Sequence, residues 1–222
     1  GSHITGFSNM VKSMVSYLAQ ATEPVKKDQV NILPGFVNPG DMREIRRIVD
    51  EMGIQMIMLP DTTGVLDAPQ TNKYALFPEG GTTVDEIVDT GNSRLTLALG
   101  SWASDAAGAM LVEKCNVPCI PLRTPIGLKA TDDFIMTLKE KCEVDVPKSL
   151  TVERGQVVDT LIDTHFHYQG KKVAIFGDPD IVIPLTEFVL TMGMIPKYVL
   201  TGTPGSRFET EVGKMFEEYQ VE

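Results

Sequence analysis

The stretch KKVAIFGDPD, at residues 171–180, places a short apolar run directly before a glycine turn. An apolar-periodic segment follows the turn and ends in TMG at residues 191–193. An apolar strand, a glycine turn and a helix in this order are typical of Rossmann-like folds, in which dinucleotides and phosphates bind at such turns. The stretch therefore predicts the fold class, and it raises the question of whether the turn also binds a ligand.

The same layout occurs earlier in the chain. NILPGF (31–36), a helical segment that ends in EMG (51–53), and IQMIMLPDT (54–62) repeat the order strand, turn, helix, MG and strand. Apolar strands separated by helices predict a parallel sheet that helices cover on both faces. We therefore predict an α/β fold of Rossmann-like parallel sheets covered by helices, with one complete middle domain and the start of a second.

This pattern divides the chain into four parts. Residues 1–27 are predicted to be a helical lead-in at the end of an upstream domain, and residues 28–148 a Rossmann-like domain. Residues 149–170 are predicted to form a connecting helix, and residues 171–222 the first part of a further, truncated Rossmann-like domain. Because helical sequence starts almost at once and continues nearly to the last residue, we expect the chain to be a segment of a longer protein.

Local signals predict several helix ends. Gly53 follows a helical stretch in the position expected just past a helix C-terminus. Thr83 and Glu86 have the spacing of a capping box, in which each side chain binds the backbone N–H of the other residue. Thr131 is predicted to cap a helix that reaches about Cys142.

Composition and charge exclude several classes of protein. The chain has 30 acidic and 20 basic residues and a net charge of −10, which disfavours binding along a nucleic-acid backbone. No apolar run approaches the roughly 20 residues of a membrane helix, and no secretory signal begins the sequence. An odd count of 3 cysteines argues against a disulfide framework. We expect a cytoplasmic protein with reduced thiols and with neither nucleic acid nor membrane as a partner.

The GDPD turn lacks most features of a dinucleotide site. It has one glycine where the dinucleotide fingerprint has three. If Pro179 is the first helical residue, Asp178 is the N-cap and Asp180 lies in the first turn, where a phosphate would meet two negative charges. We predict a turn that is capped by its own carboxylate, and a ligand held through a metal or a donor group is the alternative.

The TGTPGS loop (201–206) follows the last predicted strand. Its backbone N–H groups could form a small anion nest. A plain loop after a strand is the simpler interpretation, and we favour it.

The cysteines and histidines form no obvious metal motif. Cys115 and Cys119 straddle a helix end and a strand, and two thiolates would make half of a zinc or iron–sulfur site. Cys142 and the histidines would have to converge on them in space, so we favour small buried thiols. His165 and His167 are two residues apart on a predicted helix and point in different directions, which favours packing or surface roles. The residues alone predict no catalytic constellation.

Eight stretches carry a resemblance to a known family. They occur in the order GSHITGFSNM, VNILPGFVNPGDMREIRR, LPDTTGVLDAPQT, FPEGGTT, TPIGLKATDDFIM, VPKSLTVERGQVVDTLIDTH, GKKVAIFGDPD and TGTPGSRF. Together they resemble the β subunit of nitrogenase component 1, the dinitrogenase, over essentially the whole chain. The forms DMREIRR, PDTTGVLDAPQT and TGTPG look more like the alternative enzymes (vanadium or iron-only) than the molybdenum enzyme.

The resemblance implies a role in the ATP-dependent reduction of dinitrogen to ammonia. Family β subunits contain three Rossmann-like domains and pair with an α subunit in an α2β2 core. An iron–sulfur P-cluster at the α–β interface relays electrons from the ATP-hydrolysing iron protein to the cofactor in the α subunit. The alternatives are a cofactor-assembly scaffold or another member of the superfamily that does not fix nitrogen. A small-molecule-binding α/β protein that uses the TGTPGS loop is a third possibility.

The resemblance assigns no cluster ligand to this chain. The family's β-side cluster cysteines, and the serine that can ligate the oxidised cluster, lie upstream of Gly1. We therefore expect no cluster in the chain by itself and no activity of the chain alone. Ser2, His3 and Thr5 would lie close to the cluster in an intact subunit, as candidates to hydrogen-bond around it. A plain helix lead-in is the simpler interpretation, and Gly1-Ser2-His3 fits either native sequence or the scar of an affinity tag.

Overall fold

The computed structural model describes residues 1–72 and 75–221. Its strands, in chain order, are β1 (Lys27–Leu33), β2 (Met56–Met58), β3 (Ser93–Leu99), β4 (Cys119–Leu122), β5 (Lys172–Phe176) and β6 (Ile195–Leu200). Its helices are α1 (His3–Leu18), α2 (Pro39–Glu51), α3 (Val84–Asp89), α4 (Ser101–Cys115), α5 (Gly127–Cys142), α6 (Lys148–Tyr168), α7 (Pro179–Thr191) and α8 (Ser206–Glu218). The strands and helices predicted within residues 31–62 and 171–193 are present, as β1, α2 and β2 and as β5 and α7.

The strands form two parallel sheets, in the orders β2-β1-β3-β4 and β5-β6. Helices separate the strands along the chain, because a parallel connection must cross from one end of the sheet to the other. The predicted α/β fold class with parallel sheets is therefore confirmed.

Contacts divide the chain into two compact units. Unit 1 consists of Gly1–Ile4 together with the residues from Arg123 onward, and unit 2 consists of Thr5–Leu122. The helix α5, which we predicted to belong to a domain of residues 28–148, therefore groups with unit 1. The four domain bounds given above stay a prediction.

The core of unit 2 lies around β3. Of its seven residues, only Arg94 is not buried, as expected for a strand that has neighbours on both edges and is covered on both faces. Buried side chains from α1, α4 and the strands pack together in one apolar cluster, whose members include Val11, Val15, Leu33, Leu59, Ala98, Ala107 and Leu111.

A polar network crosses this core between β1 and β3. Asn31 is fully buried, and its Nδ2 donates hydrogen bonds to the Thr90 carbonyl (2.9 Å) and to Thr96 Oγ1 (3.1 Å). Ser93 Oγ donates to Asn31 Oδ1 at 2.7 Å. The amide of Asn31 is thereby satisfied on both sides, as a buried polar group must be.

Two of the predicted helix ends are confirmed and one is wrong. Thr83 and Glu86 form the capping box, and Gly53 has the positive φ (72°) that ends the α2 turn. Thr131 does not cap α5, because that helix begins at Gly127. Inside the first turns of α5, the Thr131 hydroxyl donates to the Gly127 carbonyl at 2.8 Å, a bond that lets threonine sit within a helix.

A buried carboxylate joins α7 to its neighbours in unit 1. Glu187 keeps 5% of its side-chain exposure and accepts hydrogen bonds from Arg123 (2.7 Å) and Lys129 (2.8 Å). The hydrogen bond to Glu187 raises the pKa of Lys129 above its ordinary value. Burial, followed by the charge of Glu187, raises the pKa of Tyr219.

Another buried carboxylate organises the loop after β2. Asp61 Oδ2 accepts a hydrogen bond from Arg46 at 2.6 Å, while Oδ1 accepts from the backbone N–H (2.8 Å) and the hydroxyl (2.7 Å) of Thr63. Burial by itself would raise the pKa of Asp61, but the bonds from Thr63 and Arg46 outweigh it and hold the pKa below its ordinary value of 3.8.

This arrangement predicts an acid-dependent contribution of Asp61 to stability. Because the folded-state pKa is lowered, the contribution is complete above pH 3.8 and is lost as the pH falls through the folded-state value. We expect Asp61→Asn to lower the free energy of unfolding at pH 7 and to make progressively less difference below pH 3.8. Urea denaturation of both proteins between pH 2.5 and pH 7, on the order of six pH values, tests this. A difference that stays constant over this range would contradict it.

Within the described ranges, no helix combines the length and the apolar character that a bilayer crossing requires.

Candidate site at the carboxyl ends of strands β5 and β6

The two strands of unit 1 end beside a crevice of about 690 Å³. Phe176 and Leu200 are the last residues of β5 and β6, and the turn and loop that follow them line the crevice. Ser2 and His3 line it as well, although they lie at the other end of the chain. In open α/β sheets, ligands bind outside the carboxyl ends of parallel strands. The crevice therefore lies where a ligand of this fold would bind.

His3 binds Asp178 across this crevice. The imidazole Nε2 lies 3.0 Å from both Oδ1 and Oδ2 of the carboxylate. The side chain of His3 is 63% exposed and that of Asp178 is 22% exposed. A carboxylate at one ring nitrogen fixes the orientation of the imidazole.

The predicted self-capped turn is only partly right. Pro179 is the first residue of α7, Asp178 is its N-cap and Asp180 lies in the first turn, as predicted. The side chain of Asp178, however, makes no capping hydrogen bond. It accepts from His3 instead, while the backbone carbonyl of Asp178 accepts the N–H of Val182 at 2.8 Å. A partner 175 residues away in the sequence has replaced the local cap.

A second contact holds the N-terminal residues at the loop after β6. Thr203 Oγ1 lies 3.3 Å from Ser2 Oγ, and Thr203 is 8% exposed. The backbone N–H of Thr203 donates to Thr201 Oγ1 at 3.2 Å. Because that amide is used within the loop, the geometry favours the plain-loop interpretation of TGTPGS over an anion nest.

The structure brings two of the three residues suggested by the family resemblance to one site. Ser2 and His3 line the crevice, whereas Thr5 is exposed and belongs to unit 2. The partners Asp178 and Thr203 were missed as binding partners. One signal could have pointed to them. The stretches that contain these residues, GSHITGFSNM, GKKVAIFGDPD and TGTPGSRF, are all among those that carry the family resemblance.

The cysteines do not form a metal site among the residues that the structure describes. There, no three His, Cys, Asp or Glu side chains converge as metal ligands would. Cys115 ends α4 and is buried, and burial raises its pKa. Cys119 begins β4, and burial, together with the charge of Asp105, raises its pKa to about 11. Both side chains are therefore thiols near neutral pH, whereas metals bind the thiolate.

We expect Cys119 to react slowly with thiol reagents. A pKa of about 11 in place of 9.0 leaves about a hundredfold less thiolate at pH 8. In Cys115→Ser/Cys142→Ser, the labelling rate with 5,5′-dithiobis(2-nitrobenzoate) should rise about tenfold per pH unit from pH 7 to pH 9. The same protein in denaturant is the control and should label at the rate of an ordinary thiol. A fast native rate that changes little with pH would contradict the prediction.

The two histidines near the end of α6 have separate surroundings. His165 is half-buried, and its ring lies next to Gly193. His167 is exposed, and its ring centroid lies 3.9 Å from that of Phe166. These are packing and surface roles, as predicted.

Comparison with known proteins decides the family. The family described as "Nitrogenase component 1 type Oxidoreductase" matches residues 1–222. The chain belongs to this family. The predicted resemblance to nitrogenase component 1 is thereby confirmed.

Individual members of the nitrogenase component 1 family are similar over the whole chain. The "Nitrogenase molybdenum-iron protein beta chain" of Clostridium pasteurianum is 53% identical over 222 residues, which are 100% of this chain and 48% of that protein. A solved structure titled "Nitrogenase Cp1 at pH 6.5" matches with a TM-score of 0.98 at 53% identity, covering 100% of this chain and 48% of that chain. The chain thus spans about half the length of these relatives.

The relatives also bear on the enzyme type. The "Nitrogenase vanadium-iron protein beta chain" of Trichormus variabilis is 39% identical over 203 residues, which are 91% of this chain and 43% of that protein. An alternative nitrogenase is therefore among the relatives. Its identity is lower than the 53% to the molybdenum–iron chain, so these values do not place the chain nearer to the alternative enzymes.

Proposed function

We propose that this chain is part of the β subunit of a dinitrogenase and supports the ATP-dependent reduction of dinitrogen to ammonia. The observation that carries the proposal is the 53% identity to a nitrogenase β chain over the whole length of this chain, together with a TM-score of 0.98. The proposed location is the cytoplasm.

The proposed partners are a nitrogenase α subunit, in an α2β2 core, and the ATP-hydrolysing iron protein. In this complex an interfacial P-cluster, when bound, would supply the electron relay between the iron protein and the α subunit. Its ligands would be thiolates, and the described residues do not fit that role, because Cys115 and Cys119 are held as thiols and no ligand group converges. We propose that the cluster ligands belong to other parts of the intact subunit and that the chain alone is inactive.

The contribution of this chain would be to position Ser2 and His3, where α1 begins. Asp178 orients the imidazole of His3, and Thr203 lies against the hydroxyl of Ser2. Ser2, His3 and Thr5 are proposed as residues that hydrogen-bond near the cluster in the intact subunit. Of these, Ser2 and His3 are supported by contacts in the structure. His3 binds Asp178, which follows β5, and Ser2 lies against Thr203, which follows β6.

A chimeric β chain tests the proposal. The matching segment of the Clostridium pasteurianum β chain would be replaced by these 222 residues, and the chimera would be produced together with its own α subunit and iron protein. We expect an assembled complex that forms ammonia from dinitrogen when ATP is supplied. Assembly without ammonia formation would instead support the assembly-scaffold alternative. The unaltered β chain, produced in parallel, is the control.

The chain by itself tests the assignment of the cluster ligands. After anaerobic incubation with iron and sulfide, we expect no stable iron–sulfur absorbance. A stable chromophore that Cys115→Ala abolishes would show that the cysteines of this chain bind a cluster.

A further inference from the structure

We draw no further inference here: the strongest candidate, the apolar surface that Leu66, Leu76 and Phe77 expose on the loop between β2 and α3, carries no proposal because nothing in the structure shows what covers it.

Discussion

Replacing Glu187 by alanine is expected to lower the free energy of unfolding by about 3 kcal/mol. The carboxylate is buried and accepts hydrogen bonds from Arg123 and Lys129, so its removal leaves a cavity beside α7 and takes an anion away from both cations. Lys129 keeps its longer contact with Glu218, at 3.3 Å. The expected loss lies at the lower end of the range for a broken buried ion pair. The reason is that Arg123 and Lys129 are 41% and 48% exposed and can return to water.

Guanidinium denaturation followed by circular dichroism measures the effect of Glu187→Ala. Glu140→Ala is the matched control, because Glu140 is 73% exposed and pairs with its exposed neighbour Lys141, so its loss should cost less than about 0.5 kcal/mol. Glu187→Gln should fall between the two, since it keeps the shape and one acceptor but no charge. If Glu187→Ala cost no more than Glu140→Ala, the buried carboxylate would not hold α7 in place.

Replacing Asn31 by leucine is expected to cost about 3 kcal/mol. Leucine has the same branching as asparagine but larger methyl groups, so overpacking adds to the cost. The buried Thr90 carbonyl and the Ser93 and Thr96 hydroxyls also lose their hydrogen bonds to Asn31. Leaving a buried polar group unsatisfied costs about 1–3 kcal/mol, and hydroxyls can turn toward other partners, which limits the sum.

Urea denaturation of Asn31→Leu beside Asn9→Leu measures this cost. Asn9 is exposed on α1, so the same substitution there should change the free energy of unfolding by less than about 0.5 kcal/mol. A neutral or stabilising effect at position 31 would mean that the core tolerates the loss of these three hydrogen bonds, and the network would then add nothing to stability.

The hydrogen bonds of Asn31 and Glu187 could not be predicted from the sequence. The spacing of apolar residues predicted β1 and α7, because apolar residues recur with a different spacing in a strand and in a helix. The partners of Asn31 and Glu187 lie about 60 residues away, and no local pattern connects them. The sequence therefore predicted the elements but not the polar contacts between them.

The turn at Asp178 illustrates the same limit at the candidate site. The sequence correctly predicted Pro179 as the first residue of α7 and Asp178 as its N-cap, since these preferences depend on neighbouring backbone. It could not predict that the carboxylate turns to His3. That choice depends on the N-terminal residues lying at the ends of β5 and β6, which is a property of the folded chain.

The sequence alone determined the α/β class, the order of strands and helices and the resemblance to nitrogenase component 1. These follow from local periodicity, from turn residues and from motifs in a fixed order. Only the tertiary structure decided that Ser2 and His3 meet Asp178 and Thr203, that Glu187 is buried between two cations, and that Cys115 and Cys119 are desolvated thiols. Burial and long-range hydrogen bonds exist only once distant segments are packed together. They set the orientation of these side chains and keep the two thiols protonated.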